Sequence, residues 1–86
     1  MPVHFINEEP IEVVRGAAKQ WRERNTDYQG GVVLVWQGQA YGWKNSLRDA
    51  FQERPGAFAV DEAGQVSKAE GGNDYDGAER WLELYV

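Results

Sequence analysis

Apolar side chains recur at Ile11, Val14, Ala18 and Trp21, at intervals of three, four and three. This spacing predicts an amphipathic helix, with Ala17 beside the buried stripe. Pro10 opens it, because proline at a first helical position gives up a donor that has no partner there. Glu8, Glu9 and Glu12 near the start and Lys19, Arg22 and Arg24 near the end order the charges along the helix dipole.

Alternation marks the strands. Val3 to Ile6 alternates weakly and reads as a first strand. Gly30-Gly31 then releases the chain into Val32-Val33-Leu34-Val35-Trp36, a β-branched run of strand length. Gln37-Gly38 follows as a tight turn. With those two residues as the loop, Leu34 faces Tyr41 and Val32 faces Trp43 on one side of the hairpin, and Val33 faces Gly42 on the other. Asn45 or Ser46 is placed to cap a short helix that turns Leu47, Ala50 and Phe51 inward and stops at Pro55-Gly56. Ala57 to Val60 and Gln65 to Lys68 predict a second hairpin around Asp61-Glu62-Ala63-Gly64. At the end of the chain Leu82, Leu84 and Val86 alternate, while Ala78, Trp81, Leu82 and Tyr85 keep helical spacing, which we read as a short helical turn leading into a terminal strand. The order β-α-ββ-α-ββ-β predicts an α+β fold: a small antiparallel or mixed sheet of four to five strands, with two helices packed on one face.

At 86 residues there is room for one core, so residues 1 to 86 are expected to form a single domain. Apolar residues make up 42% of the chain and aromatic residues 13%, enough to build that core unaided. Cysteine is absent, which excludes disulfides, thiolate catalysis and cysteine-bearing zinc sites, and fits a reducing cytoplasm. The first residues carry no basic and apolar leader, and the longest apolar run, Val32 to Trp36, is too short to span a bilayer, so neither export nor membrane insertion is expected.

Charge is unevenly placed. Residues 1 to 54 balance seven basic side chains against seven acidic ones, whereas residues 55 to 86 set only Lys68 and Arg80 against seven carboxylates, and so carry the whole formal charge of −5. A negative surface repels nucleic-acid phosphates and attracts basic protein surfaces. Lys19, Arg22 and Arg24 form a small basic end on the first helix, diluted by Glu23 and Asp27, so direct nucleic-acid binding is disfavoured. The bland reading is that this charge keeps a small domain soluble, which by itself accounts for the acidity.

Chemistry-bearing motifs are sparse. Asn73-Asp74-Tyr75-Asp76-Gly77, with Glu83 beyond, overlays part of a calcium loop, but Gly72 occupies the first ligand position, so we read the segment as an acidic turn without metal. His4 is the only imidazole and reads as a polar strand residue. Ser46 suits a cap and Ser67 a strand, and neither sits in a nucleophile motif. Gly38-Gln39-Ala40-Tyr41-Gly42 lacks the spacing and lysine of a phosphate loop. No cofactor is implied. Four tryptophans and four tyrosines are chiefly expected in the core, with Tyr28, Tyr41, Tyr75 and Trp43 the candidates for exposure.

These readings lead to a small acidic, non-enzymatic protein-interaction module, an inhibitor or regulator. It would dock Asp61, Glu62, Glu70, Asp74, Asp76 and Glu79 on a basic surface of a partner protein, including a nucleic-acid-binding protein whose groove it fills in imitation of nucleic acid. A second class is a small-ligand or carbohydrate module stacking its ligand on Tyr41 and Trp43. A third is an enzyme built on paired carboxylates.

Overall fold

The computed structural model describes residues 10–84. Helix α1 (Ile11–Arg24) follows Pro10, whose carbonyl accepts the amides of Val13 and Val14. Five strands follow: β1 (Val32–Trp36), β2 (Gln39–Lys44), β3 (Phe58–Asp61), β4 (Val66–Glu70) and β5 (Arg80–Leu84). They form one sheet in the order β2-β1-β3-β4-β5, antiparallel throughout. The expected strand at Val3 to Ile6, and His4 with it, lie outside the described residues.

One face of the sheet packs on α1. Val33, Val35, Phe58, Val60 and Val66 meet Val14 and Ala18 of the helix, with Ile11, Ala17 and Trp21 at the margins. The stripe expected from the spacing is therefore the one that is buried, and at roughly 1.5–3 kcal/mol per buried branched side chain it anchors the helix. At the end of α1, Tyr28 packs edge-on against Trp43 with ring centroids 5.2 Å apart and tilts against Trp21 at 5.5 Å. Arg22 donates to the carbonyls of Tyr28 and Gly31, fixing the loop between α1 and β1.

The opposite face is covered by irregular chain instead of a second helix. Residues 45–47 form bends, residues 48 and 49 are irregular, and only a 3-10 turn (Ala50–Gln52) is helical, so the expected short helix is corrected. Leu47 and Phe51 are exposed where they were expected inward, and only Ala50 of the three is buried. The cause is Asp49, which adopts a left-handed conformation at φ 51° and breaks the helical path. The two helices expected on one face thus become one helix on one face and a 3-10 turn on the other. Ala50, Ala57, Ala69 and Ala78 form the contact there, with Trp36 and Trp81 alongside, and their small side chains let loop and sheet approach closely.

The first hairpin turns through Gln37 and Gly38, both at positive φ, as a two-residue connection requires for its twist to match the strands. Its register starts as expected, with Trp36 opposite Gln39 and Val35 opposite Ala40, and then slips: Leu34 pairs with Gly42, Val33 with Trp43 and Val32 with Lys44. Tyr41 is the extra residue of a β-bulge. The expected pairing of Leu34 with Tyr41 and Val32 with Trp43 is corrected by one position. Because side chains alternate, that single insertion sends Trp43 to the helix face and Lys44 to the other. The second hairpin forms where it was expected, but Asp61 extends β3 instead of opening the loop, so Val60 pairs with Val66 and not with Gln65. Residues 71–79 form a loop, not a helical turn, before β5, where Trp81 pairs with Ala69 and Leu82 with Lys68. Among the described residues no helix is long and apolar enough to cross a membrane.

Adjacent positions in α1 provide a direct test of this packing. Val14→Ala should lower the free energy of unfolding by about 2 kcal/mol in urea denaturation. Val13→Ala, at a side chain 48% exposed against 0% for Val14, should change it by less than about 0.5 kcal/mol.

Candidate functional site

The slip in register creates a buried polar cluster around Lys44 and Glu53. Lys44, turned away from the helix, places Nζ 3.1 Å from Oε2 of Glu53, and the two side chains are only 10% and 7% exposed. The same ammonium donates to the carbonyls of Arg48 at 3.1 Å and Asp49 at 3.2 Å, so all three of its donors are used. The other oxygen of Glu53 accepts the Tyr41 hydroxyl at 2.6 Å. Burial, and then the hydrogen bond to the Glu53 carboxylate, push the Tyr41 phenol well above the ordinary tyrosine range. The hydroxyl is therefore held as a donor and is unsuited to act as a base.

The main chain of Glu53 ties in a third segment. Its carbonyl accepts the amide of Ala78 at 2.8 Å. Just before that contact, Gly77 lies at φ 88° with its Cα against the carbonyl of Phe51, where any side chain would collide. The loop between β4 and β5 is thereby seated on the 3-10 turn.

Beside this cluster lies an open groove of about 410 Å³, with Trp36, Gln39 and Tyr41 on the hairpin side and Gln52, Glu53 and Arg54 on the other. The Arg54 guanidinium carbon sits 4.6 Å from the centroid of the Trp36 ring. A second groove of about 540 Å³ runs between α1 and the β3–β4 turn. Its arginines are engaged: Arg15 donates to the Gly64 carbonyl at 2.8 Å, and Arg22 approaches Glu62 at 3.8 Å.

The six carboxylates expected to form one docking surface fall into two groups. Asp61 ends β3 and Glu62 follows it in the β3–β4 turn, while Glu70 ends β4 and Asp74, Asp76 and Glu79 lie beyond it, the length of a five-residue strand or roughly 17 Å away at about 3.4 Å per residue. One oxygen of Asp61 accepts the amides of Ala63 and Gln65, so it serves its own turn. Glu70 and Glu79 flank Arg80 at 3.9 and 3.0 Å, in exposed pairs that contribute little. Asp74 and Asp76 make no ion pair among the described residues.

Between those two carboxylates stands Tyr75, 97% exposed. Its turn is tightly closed. Asn73 and Gly77 exchange backbone hydrogen bonds in both directions, and the Asn73 side-chain oxygen accepts the amides of Tyr75 at 2.8 Å and Asp76 at 2.7 Å. The segment that resembles part of a calcium loop is thus an asparagine-capped turn. Among the described residues, no three His, Asp or Glu side chains gather as a metal set would.

Of the residues expected to stack a ligand, Tyr41 lines the 410 Å³ groove and Trp43 does not. Trp43 packs against the helix-side core and donates its indole N–H to the Gly30 carbonyl at 3.1 Å. Trp36 takes its place at the groove. Glu53 was not singled out in the sequence; the available signal was a lysine and a glutamate flanking a segment that ends in Pro55-Gly56, which does not specify a contact. Comparison with family models, curated proteins and solved structures gave no match.

Two outcomes follow from the buried cluster. Glu53→Gln leaves the Lys44 ammonium without its counter-charge and should cost about 3 kcal/mol of stability in urea unfolding, whereas the paired replacement Lys44→Met with Glu53→Leu should recover most of that loss. The raised Tyr41 phenol binds its proton more tightly folded than unfolded, so its contribution is complete below the ordinary phenol value of about 10 and disappears as the pH climbs above it. An alkaline absorbance titration should show a tyrosine ionising late in the native protein, and Tyr41→Phe should remove that phase.

Proposed function

We propose that this domain is a non-enzymatic protein-interaction module, an inhibitor or regulator that docks the loop between β4 and β5 on a basic surface of a partner protein. The observation that carries the reading is Tyr75, fully presented between Asp74 and Asp76, which make no ion pair among the described residues, on a turn closed by its own hydrogen bonds. Tyrosine is enriched among the side chains that dominate binding energy, and a preformed turn loses little freedom on docking. Around it, residues 70–83 hold five carboxylates against the single Arg80, a field that speeds encounter with a basic partner. Phe51, 60% exposed and adjoining Gly77, offers apolar area beside the tip. The contact would act by covering the partner's surface, including one that otherwise receives nucleic acid. Asp61 and Glu62, at the other end of β4, are not assigned to it.

Affinity capture from the source cell with the native chain, alongside Tyr75→Ala and Asp74→Lys/Asp76→Lys variants, tests the reading. A specific partner should be retained by the native chain alone. With that partner purified, Tyr75→Ala should weaken binding about tenfold or more through faster dissociation. The charge reversal should slow association and flatten its dependence on salt, with the unfolding midpoint unchanged in both. Equal affinity and equal association rates in all three proteins would remove this proposal.

A further inference from the structure

The groove between the β1–β2 hairpin and the 50–54 segment carries a second, independent property. We infer that it is a binding site for a small molecule bearing an oxyanion, a carboxylate or a phosphate, next to a flat or apolar body, with Arg54 as the residue that receives the anion.

Three observations converge on Arg54. Its guanidinium lies over the Trp36 ring at 4.6 Å, which holds one face of the fork and leaves the N–H edge available. It makes no ion pair among the described residues, although a carboxylate stands next to it in the chain. That carboxylate, Glu53, is turned inward and consumed by Lys44 and Tyr41, so it cannot fold back to neutralise its neighbour. Among the described residues the groove thus holds an exposed, pre-oriented cation with no ion-pair partner, the arrangement that recognises a planar oxyanion through paired hydrogen bonds.

The remaining walls suit the rest of such a ligand. Trp36 and Ala40 offer apolar surface, and the Gln39 and Gln52 carboxamides supply donors and acceptors at the rim. The volume of about 410 Å³ lies in the range that admits a small organic molecule. By contrast, Arg15 and Arg22 in the groove beside α1 already donate to backbone carbonyls, and that groove also holds Glu23, Asp61 and Glu62.

The test is an NMR titration of the labelled native chain with sodium benzoate, with phenyl phosphate and with benzamide, the neutral counterpart of benzoate, at constant ionic strength. Saturable shifts at the Trp36 indole and the Gln52 and Arg54 amides are expected with the two anions, with benzamide about tenfold weaker. Arg54→Gln should abolish the preference for anions without moving the unfolding midpoint, and Asp74→Lys/Asp76→Lys should leave it intact. Phenyl phosphate binding alone, or benzoate alone, would identify which oxyanion the fork prefers and supports the inference. Equal binding of benzoate and benzamide, an unchanged preference in Arg54→Gln, shifts centred on Arg15 and Arg22, or no saturable shift with any probe would each overturn it.

Discussion

The ion pair between Lys44 and Glu53 is the constraint on which the non-helical half of the molecule depends. A charged pair withdrawn from water loses a large hydration energy, and it persists only when every lone pair and proton finds a partner. Here Lys44 also holds the carbonyls of Arg48 and Asp49, and Glu53 also holds the Tyr41 hydroxyl. The pair therefore stitches an otherwise irregular segment to β2. It does the work that a second helix would have done through apolar contact.

This arrangement links the two proposed surfaces to one segment of the chain. The loop between β4 and β5 rests on the same segment through Ala78 and Gly77, which places the Tyr75 turn beyond one side of it. In the same segment Glu53 turns inward while Arg54 is exposed and lies over Trp36. Presentation of the acidic tip and exposure of the Arg54 guanidinium thus share one buried support. The first face of the sheet, packed on α1, holds the larger apolar cluster.

Much of the architecture could be read from the chain. The stripe Ile11, Val14, Ala18 and Trp21 located the helix, because periodicity reports directly which side is buried. Gln37-Gly38 and Asp61 to Gly64 located both hairpins, because turn residues act locally. The bulge at Tyr41 could not be read, since an inserted residue leaves the surrounding alternation intact while reversing its meaning. That reversal assigned Trp43 to a ligand surface and hid Lys44. The spacing of Leu47, Ala50 and Phe51 imitated a helix, but carbonyls of that segment are taken by Lys44, which the bulge in β2 turns toward them, and by the Trp81 indole of β5, a partner that no local window contains. The acidic residues were close in sequence, yet β4 separates them, because a strand converts a few positions into a large distance.

The strand order β2-β1-β3-β4-β5 also bears on how the chain reaches its native state. All five strands pair with a sequence neighbour, β1 with β2, β3 with β4 and β4 with β5, and only the pairing of β1 with β3 skips a strand and spans the longer connection between β2 and β3. Contacts between nearby residues form with little loss of chain entropy, so the two halves of the sheet can assemble separately and quickly. The long connection is the segment that the buried pair fastens, which makes docking of β1 on β3 and closure of that salt link the natural late event in folding.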